Sequence, residues 1–174
     1  MYVCQVKISK LMRKTKENAE LTRQDILSAA AALFSGKGFA KSSLEEIARE
    51  ANVTRGAVYW HFKNKAEIFD ALHEQLYLPL IERVQQDLKT EHPDPLEQLR
   101  DFCINLMLGV EEDKQVKQIL TLFLMKHDYS GELDEYREKH CQRKLESLNL
   151  FRLYFEKAQR MGKLPMDADI GLMS

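Results

Sequence analysis

VTRGAVYWHFKNK, residues 53–65, sets Arg55, His61, Lys63 and Lys65 among Val58, Tyr59, Trp60 and Phe62. A helix buried in a core would exclude the polar group, and a fully solvated helix would not carry so many bulky apolar side chains. The segment therefore divides. Val58 and Phe62, four residues apart, share one helical face and are assigned to the core, while Thr54, Arg55, Gly56, Tyr59 and His61 are left for a partner. Trp60 is open between packing against an earlier helix and partial exposure. Thr54 is placed to cap this short helix and Asn52 to end the one before it.

N-terminal to this segment, Ile26, Leu27, Ala29, Ala30, Leu33 and Phe34 repeat as one helical face. Thr22 or a residue before it starts that helix, and the GKG at 36–38 stops it. Ser43 and Glu46 form a capping box ahead of a second helix with Leu44, Ile47, Ala48 and Ala51 along one side. Asn64 caps a fourth helix carrying Ile68, Leu72, Leu76, Leu80, Val84 and Leu88. Pro79 inside it deprives the Gln75 carbonyl of its usual donor, so a kink is expected. HPDP at 92–95 is the clearest linker, with Pro95 opening a fifth helix whose buried stripe would be Leu96, Leu99, Phe102, Cys103, Leu106 and Met107. A sixth helix is expected from about Lys114 to Lys126 and a seventh from about Glu132 to Arg160. The fold class is all-α, with no convincing strand: three short N-terminal helices followed by longer ones.

Two short helices joined by a tight turn, the second opening on Thr-Arg-Gly, fit a helix-turn-helix. In such a unit the N-terminal residues of the second helix reach base edges in the major groove. An Arg at position 55 can bridge O6 and N7 of guanine, and Thr54 can meet a phosphate or a thymine methyl. Gly56 leaves room for close approach to sugar-phosphate. Tyr59, His61 and Lys65 can serve flanking phosphates, and Ser42 and Ser43 offer hydroxyls and free amides at the preceding helix start.

Charge agrees with that assignment. The 174-residue chain has a formal net charge of −1. Residues 1–65 hold twelve Lys/Arg against six Asp/Glu, a balance of +6, and the remainder a balance of −7. A basic N-terminal third on an acidic body is an electrostatic footprint for nucleic acid. Other classes find no support. The apolar runs are too short to cross a bilayer, so no membrane partner is expected. Three cysteines at unrelated spacings include no CxxC and suit a reducing cytoplasm. His92, His127 and His140 share no metal-binding helical spacing, and neither a catalytic motif nor a phosphate-cradling glycine loop occurs. Neither an enzyme nor a bound cofactor or metal is expected.

Residues 13–69 resemble the DNA-binding domain of TetR-family repressors. The resemblance rests on RKTK (13–16), TRQDIL (22–27), FSGKGF (34–39), SLEEIA (43–48) and VTRGAVYWHFKNK, the last being highly specific. It is similar to the AcrR/TtgR-like subgroup that controls multidrug efflux pumps. The resemblance implies a fold of nine or so helices and a cytoplasmic bacterial homodimer on a palindromic double-stranded DNA operator. It also implies a cavity in the C-terminal domain whose small hydrophobic or amphipathic effector releases the DNA. It assigns DNA contact to Thr54, Arg55, Gly56, Tyr59, His61 and Lys65, with Arg13, Lys14 and Lys16 as an arm toward phosphate or minor groove. DPLEQLR (94–100) and LMKHDYSGEL (124–133) resemble the same subgroup. The candidate pocket residues are Phe102, Leu106, Leu120, Phe123, Leu124, Phe151 and Phe155.

The expected organisation is a non-native or disordered extension over 1–11, a helix-turn-helix domain over 12–66 and a regulatory helical domain over 67–174. The family pattern begins near Met12. An eighth helix is expected to open at Met166, and the two long helices of the family's dimer interface should follow Pro165. On this view the homodimer forms in a full-length protein and is impaired in this chain. The competing reading is a truncated or subunit-pairing fragment with weak DNA binding.

Overall fold

The computed structural model describes residues 2–125 and 131–172, with side-chain surroundings described for 16–124 and 131–171. The side chains of Arg13 and Lys14, those of residues 1–11, His127 and most of the 124–133 stretch therefore lie outside the described side chains. Among the described residues there are seven α-helices and no strand: α1 Tyr2–Lys37, α2 Leu44–Glu50, α3 Arg55–His61, α4 Lys65–Lys89, α5 Pro95–Glu112, α6 Lys114–Met125 and α7 Arg137–Arg160. Short 3₁₀ segments lie at Gly131–Tyr136 and Ile170–Leu172.

The N-terminal helix boundaries follow from local chemistry. Helix α1 runs through Thr22, whose hydroxyl donates back to the Asn18 carbonyl at 3.0 Å and so is no cap. It ends at Gly38, whose φ of +91° suits glycine and whose amide returns to the Phe34 carbonyl. Helix α2 opens on the expected capping box: Ser43 Oγ accepts from the Glu46 amide, and the Glu46 carboxylate accepts from the Ser43 amide. Lys37 reaches the same carboxylate at 2.5 Å, and its hydrogen bond, with those of Ser43, holds the Glu46 pKa down to about 2. Asn52 makes the turn at φ +54°, Thr54 Oγ1 caps α3 through the Ala57 amide, and Asn64 caps α4 through the Glu67 amide.

One core unites α1, α2, α3, the first half of α4, and α6. Ile26, Leu27, Phe34, Ile47, Val58, Ile68, Phe69 and Leu72 are completely buried in it, with Ile119 and Leu122 of α6. Each such large side chain contributes roughly 1.5–3 kcal/mol on burial. Helix α6 lies against α1 along much of its length, and Ser28 Oγ donates to Gln115 Oε1 at 3.0 Å across that contact. A smaller cluster of Val84, Phe102 and Tyr154 joins the second half of α4 to α5 and α7. Helix α4 is continuous through Pro79 and belongs to both clusters.

Helix α1, expected to be short, spans 36 residues, and three further expectations are corrected. In α5, Cys103 and Met107 are exposed; Pro95, Gln98 and Phe102 are buried, and Leu99 and Leu106 are partly buried against the second cluster, as expected. Gln98 is buried because its amide donates to the Asp87 carbonyl of α4 at 2.5 Å, which fixes the rotation of α5. The seventh helix begins at Arg137, since Gly131 at φ +60° starts a 3₁₀ turn that buries Leu133. No α-helix opens at Met166. The Gln159 amide donates to the carbonyls of Pro165, Met166 and Ala168, gathering that segment into a turn against the end of α7.

Candidate nucleic-acid interface and effector cleft

The turn between α2 and α3 sets α3 with one face sealed and the other open. Val58 and Phe62 are buried, and Arg23 of α1 lies over the Phe62 ring at 5.3 Å. Thr54, Arg55, Gly56 and Tyr59 are exposed, and a Cβ at Gly56 would meet only Thr54 Oγ1, at 3.8 Å. Glycine is therefore not demanded at position 56 by the packing of the chain itself. Trp60 resolves to the open face at 73% exposure, its ring edge-on to His61 with centroids 4.5 Å apart.

Arg55 is held rather than loose. Its guanidinium lies 2.8 Å from the Glu45 carboxylate, donates to the Tyr59 hydroxyl at 3.2 Å and sits over the Tyr59 ring. The Tyr59 hydrogen bond and the Glu45 charge raise the Arg55 pKa further. His61 is shifted the other way: partial burial, then the Arg23 charge, lowers its pKa and so favours the neutral ring.

The remaining sequence candidates are sorted by the same geometry. Ser42 is buried and its hydroxyl donates to the Gly38 carbonyl; the Ser43 hydroxyl is committed to the capping box. Lys65 turns inward. Its ammonium donates to the carbonyls of Phe39 and Ser42 at 3.1 and 3.2 Å and lies 4.3 Å from the Phe39 ring centroid. Lys16 is exposed on α1. Exposed Lys41 and Lys63 were missed as candidates, though their flanking of the two turns was visible in the sequence.

In the body, α4, α6 and α7 enclose a cleft of about 370 Å³, within the size range of small-molecule sites. Leu76, Leu80, Leu120, Phe123, Leu124 and Leu148 supply apolar wall, and His73, Tyr77, His140 and Lys144 the polar positions. Of the sequence candidates, Leu120, Phe123 and Leu124 line it. Phe102, Leu106 and Phe151 instead belong to the second core cluster, and Phe155 is half-buried away from the cleft. What sequence periodicity missed is the polar floor. His73 and His140 stack at 4.0 Å, and Phe123 stands edge-on to His73 at 4.8 Å. Asp70 accepts from Lys139, His140 and Arg143, and Arg143 also pairs with Glu74 at 2.5 Å. Burial alone would raise the Asp70 pKa, but the Lys139 and His140 hydrogen bonds outweigh it and hold the carboxyl below its usual range. Burial lowers the His140 pKa despite that carboxylate.

A family model described as bacterial regulatory proteins, tetR family, matches residues 26–72. The HTH-type transcriptional regulator AcrR of Shigella flexneri is 33% identical over 158 residues, covering 90% of this chain and 73% of the relative. The crystal structure of NalD, the secondary repressor of the MexAB-OprM multidrug efflux pump in Pseudomonas aeruginosa, is similar at TM-score 0.74. It is 35% identical, covering 90% of this chain and 77% of that one. The complex of SmeT with triclosan, from the Stenotrophomonas maltophilia repressor of the SmeDEF efflux pump, is similar at TM-score 0.71. It is 31% identical, covering 87% of this chain and 72% of that one.

Proposed function

The chain belongs to the TetR family of bacterial transcriptional regulators, and from that premise we propose that it represses a multidrug efflux operon and is released from its operator by a small hydrophobic effector. The observation that carries the DNA half is the division of α3: Val58 and Phe62 sealed inward, Thr54, Arg55, Tyr59 and Trp60 outward. A seven-residue helix gains nothing in stability from a face of exposed aromatic side chains and a guanidinium, so the face is there for a ligand. Arg55 is the base-reading residue, toward guanine, and Thr54 and Tyr59 position the helix on phosphate. His61, Lys16 and the arm residues Arg13 and Lys14 add sequence-independent attraction. Ser42, Ser43 and Lys65 act indirectly by shaping the turn ahead of α2. A homodimer on a palindromic operator follows from reading two half-sites with two copies of α3. The functional division is a DNA-binding unit over 12–66 and a regulatory unit over 67–174.

For release, the effector occupies the cleft between α4, α6 and α7. Two walls of that cleft lead to the reading unit. Helix α4 carries Phe69 and Leu72 in the same core as Val58, and α6 lies directly on α1. An occupant that displaces α4 or α6 disturbs the seat of α2 and α3. The ligand acts only if it prefers that displaced state, so release is a population shift.

The test is selection of bound duplexes from a randomised library, followed by fluorescence anisotropy on the winner. Arg55→Ala should lose about 1–3 kcal/mol on the selected duplex and relax preference at one position. Triclosan is the first probe for release, given the SmeT complex. Equal affinity for selected and random duplexes by the unaltered chain would remove the operator-reading assignment.

A further inference from the structure

Neighbouring glutamates at the start of α2 have different occupations. Glu46 is consumed by the fold, in the capping box with Ser43 and the ion pair with Lys37. Glu45 is not. Its carboxylate meets only Arg55 among the described residues, at 2.8 Å, with the two side chains 53% and 61% exposed. An ion pair so open to water contributes little to stability. Yet it sits on the one side chain of α3 best suited to read a base, and it places a negative charge on the face that must approach phosphate.

We propose that Glu45 is a specificity-determining positioning residue, which holds Arg55 in its base-reading geometry and penalises loose binding to the phosphate backbone. The proposal rests on Arg55 as the base contact. A free arginine samples many rotamers and must be ordered when it binds. Here one terminal nitrogen is fixed by Glu45, the other by the Tyr59 hydroxyl, and the plane by the Tyr59 ring. Each terminal nitrogen keeps a second N–H and Nε keeps its own, so a bidentate pair with guanine O6 and N7 remains open. The Glu45 charge then acts by contrast. Non-specific binding is almost wholly phosphate attraction and suffers the full repulsion. Specific binding recovers it through the prepared arginine, so the gap between the two widens.

The experiment compares the unaltered chain with Glu45→Ala, Glu45→Gln and Glu45→Asp. Each is taken through selection from a randomised duplex library, then anisotropy on the selected and on a random duplex at several salt concentrations. Glu45→Ala and Glu45→Gln should bind random duplex about three-fold tighter, because one repulsive charge is gone. Their selected-to-random ratio should fall about ten-fold, with base preference flattened at the single position read by Arg55. Glu45→Asp should restore part of the ratio. A structural role predicts something else, a parallel loss on both duplexes with a lowered melting temperature, and that result overturns the proposal. So does a selected motif that survives Glu45→Ala unchanged. An unaltered chain that enriches no motif overturns the base-reading role of Arg55 and this proposal together, whereas a motif that survives Glu45→Ala overturns this proposal alone.

Discussion

The ammonium of Lys65, the first residue of α4, donates to the Phe39 carbonyl at 3.1 Å and lies 4.3 Å from the Phe39 ring centroid. It also reaches the Ser42 carbonyl, so one cation ties the start of α4 to the loop before α2, across 26 residues of sequence. Its side chain is 12% exposed. Hydrogen bonds to a charged donor contribute about 1.5–3 kcal/mol, so Lys65→Met should cost about that much in urea unfolding. Operator affinity should fall with it, because the amides at the α2 N-terminus lose their placement. A lysine acting only on phosphate behaves oppositely: stability would be unchanged and the salt slope would drop by about one.

Lys65 also marks what was legible in the sequence. The capping box, the glycine stop at Gly38 and the Val58/Phe62 face are local patterns, each fixed by residues within about a turn of one another, and each stands as expected. The direction of Lys65 depends on carbonyls more than twenty residues away, and no spacing rule reports that. Helix α5 teaches the same lesson. Its apolar residues spread around more than one face, and the rotation was decided by the Gln98 amide finding the Asp87 carbonyl. The cleft was half legible, through Leu120, Phe123 and Leu124 on α6. Its polar floor joins α4 to α7 across about seventy residues and left no periodic trace.

Stability should depend on pH through His140. Its folded pKa lies below the ordinary histidine value because burial disfavours the imidazolium. A depressed folded pKa means that the contribution is complete above about pH 6.5, the unfolded value. It is lost as pH falls through the folded one. Melting temperature should therefore decline from about pH 6.5 downward, and His140→Gln should lower it overall while flattening that decline. Asp70 adds a separate, lower window. Its folded pKa is also depressed, so its contribution is lost only as pH falls below about 4. A His140→Gln profile parallel to that of the unaltered chain would refute the assignment.

Binding should depend on pH with the opposite sign, through His61. In the free chain, partial burial and then Arg23 keep its pKa below the ordinary value. Phosphate brought near the ring favours the imidazolium, so the bound pKa lies above the free one and the complex takes up a proton. Operator affinity should then strengthen as pH falls from about 7.5 to about 5.5, across the ordinary histidine range. His61→Gln should make the profile flat in that range while costing little at pH 8. Anisotropy titrations at constant ionic strength distinguish this from a general charge effect, because a general effect would persist in His61→Gln.

Filling the cleft separates effector binding from DNA binding. Leu120 lines it from α6, facing His73, Leu76 and Leu80 of α4 and Leu148 of α7. Leu120→Trp would place an indole in a space of about 370 Å³ that is open on one side, so the added volume has somewhere to go. Overpacking a closed core typically costs about 1–3 kcal/mol, and an open cleft should cost less. The α6 residues buried against the reading unit, Ile119 and Leu122, belong to the first core, where α6 meets α1 and α4. Operator affinity should thus stay within about three-fold, a free-energy change of less than 1 kcal/mol. The triclosan concentration for half-release should rise at least ten-fold, since the occupant must displace a side chain tied to the backbone. Release at an unchanged triclosan concentration would place the effector elsewhere. The polar groove beside Phe102, lined by Arg83, Asp87 and Gln98, would then be the next site to fill.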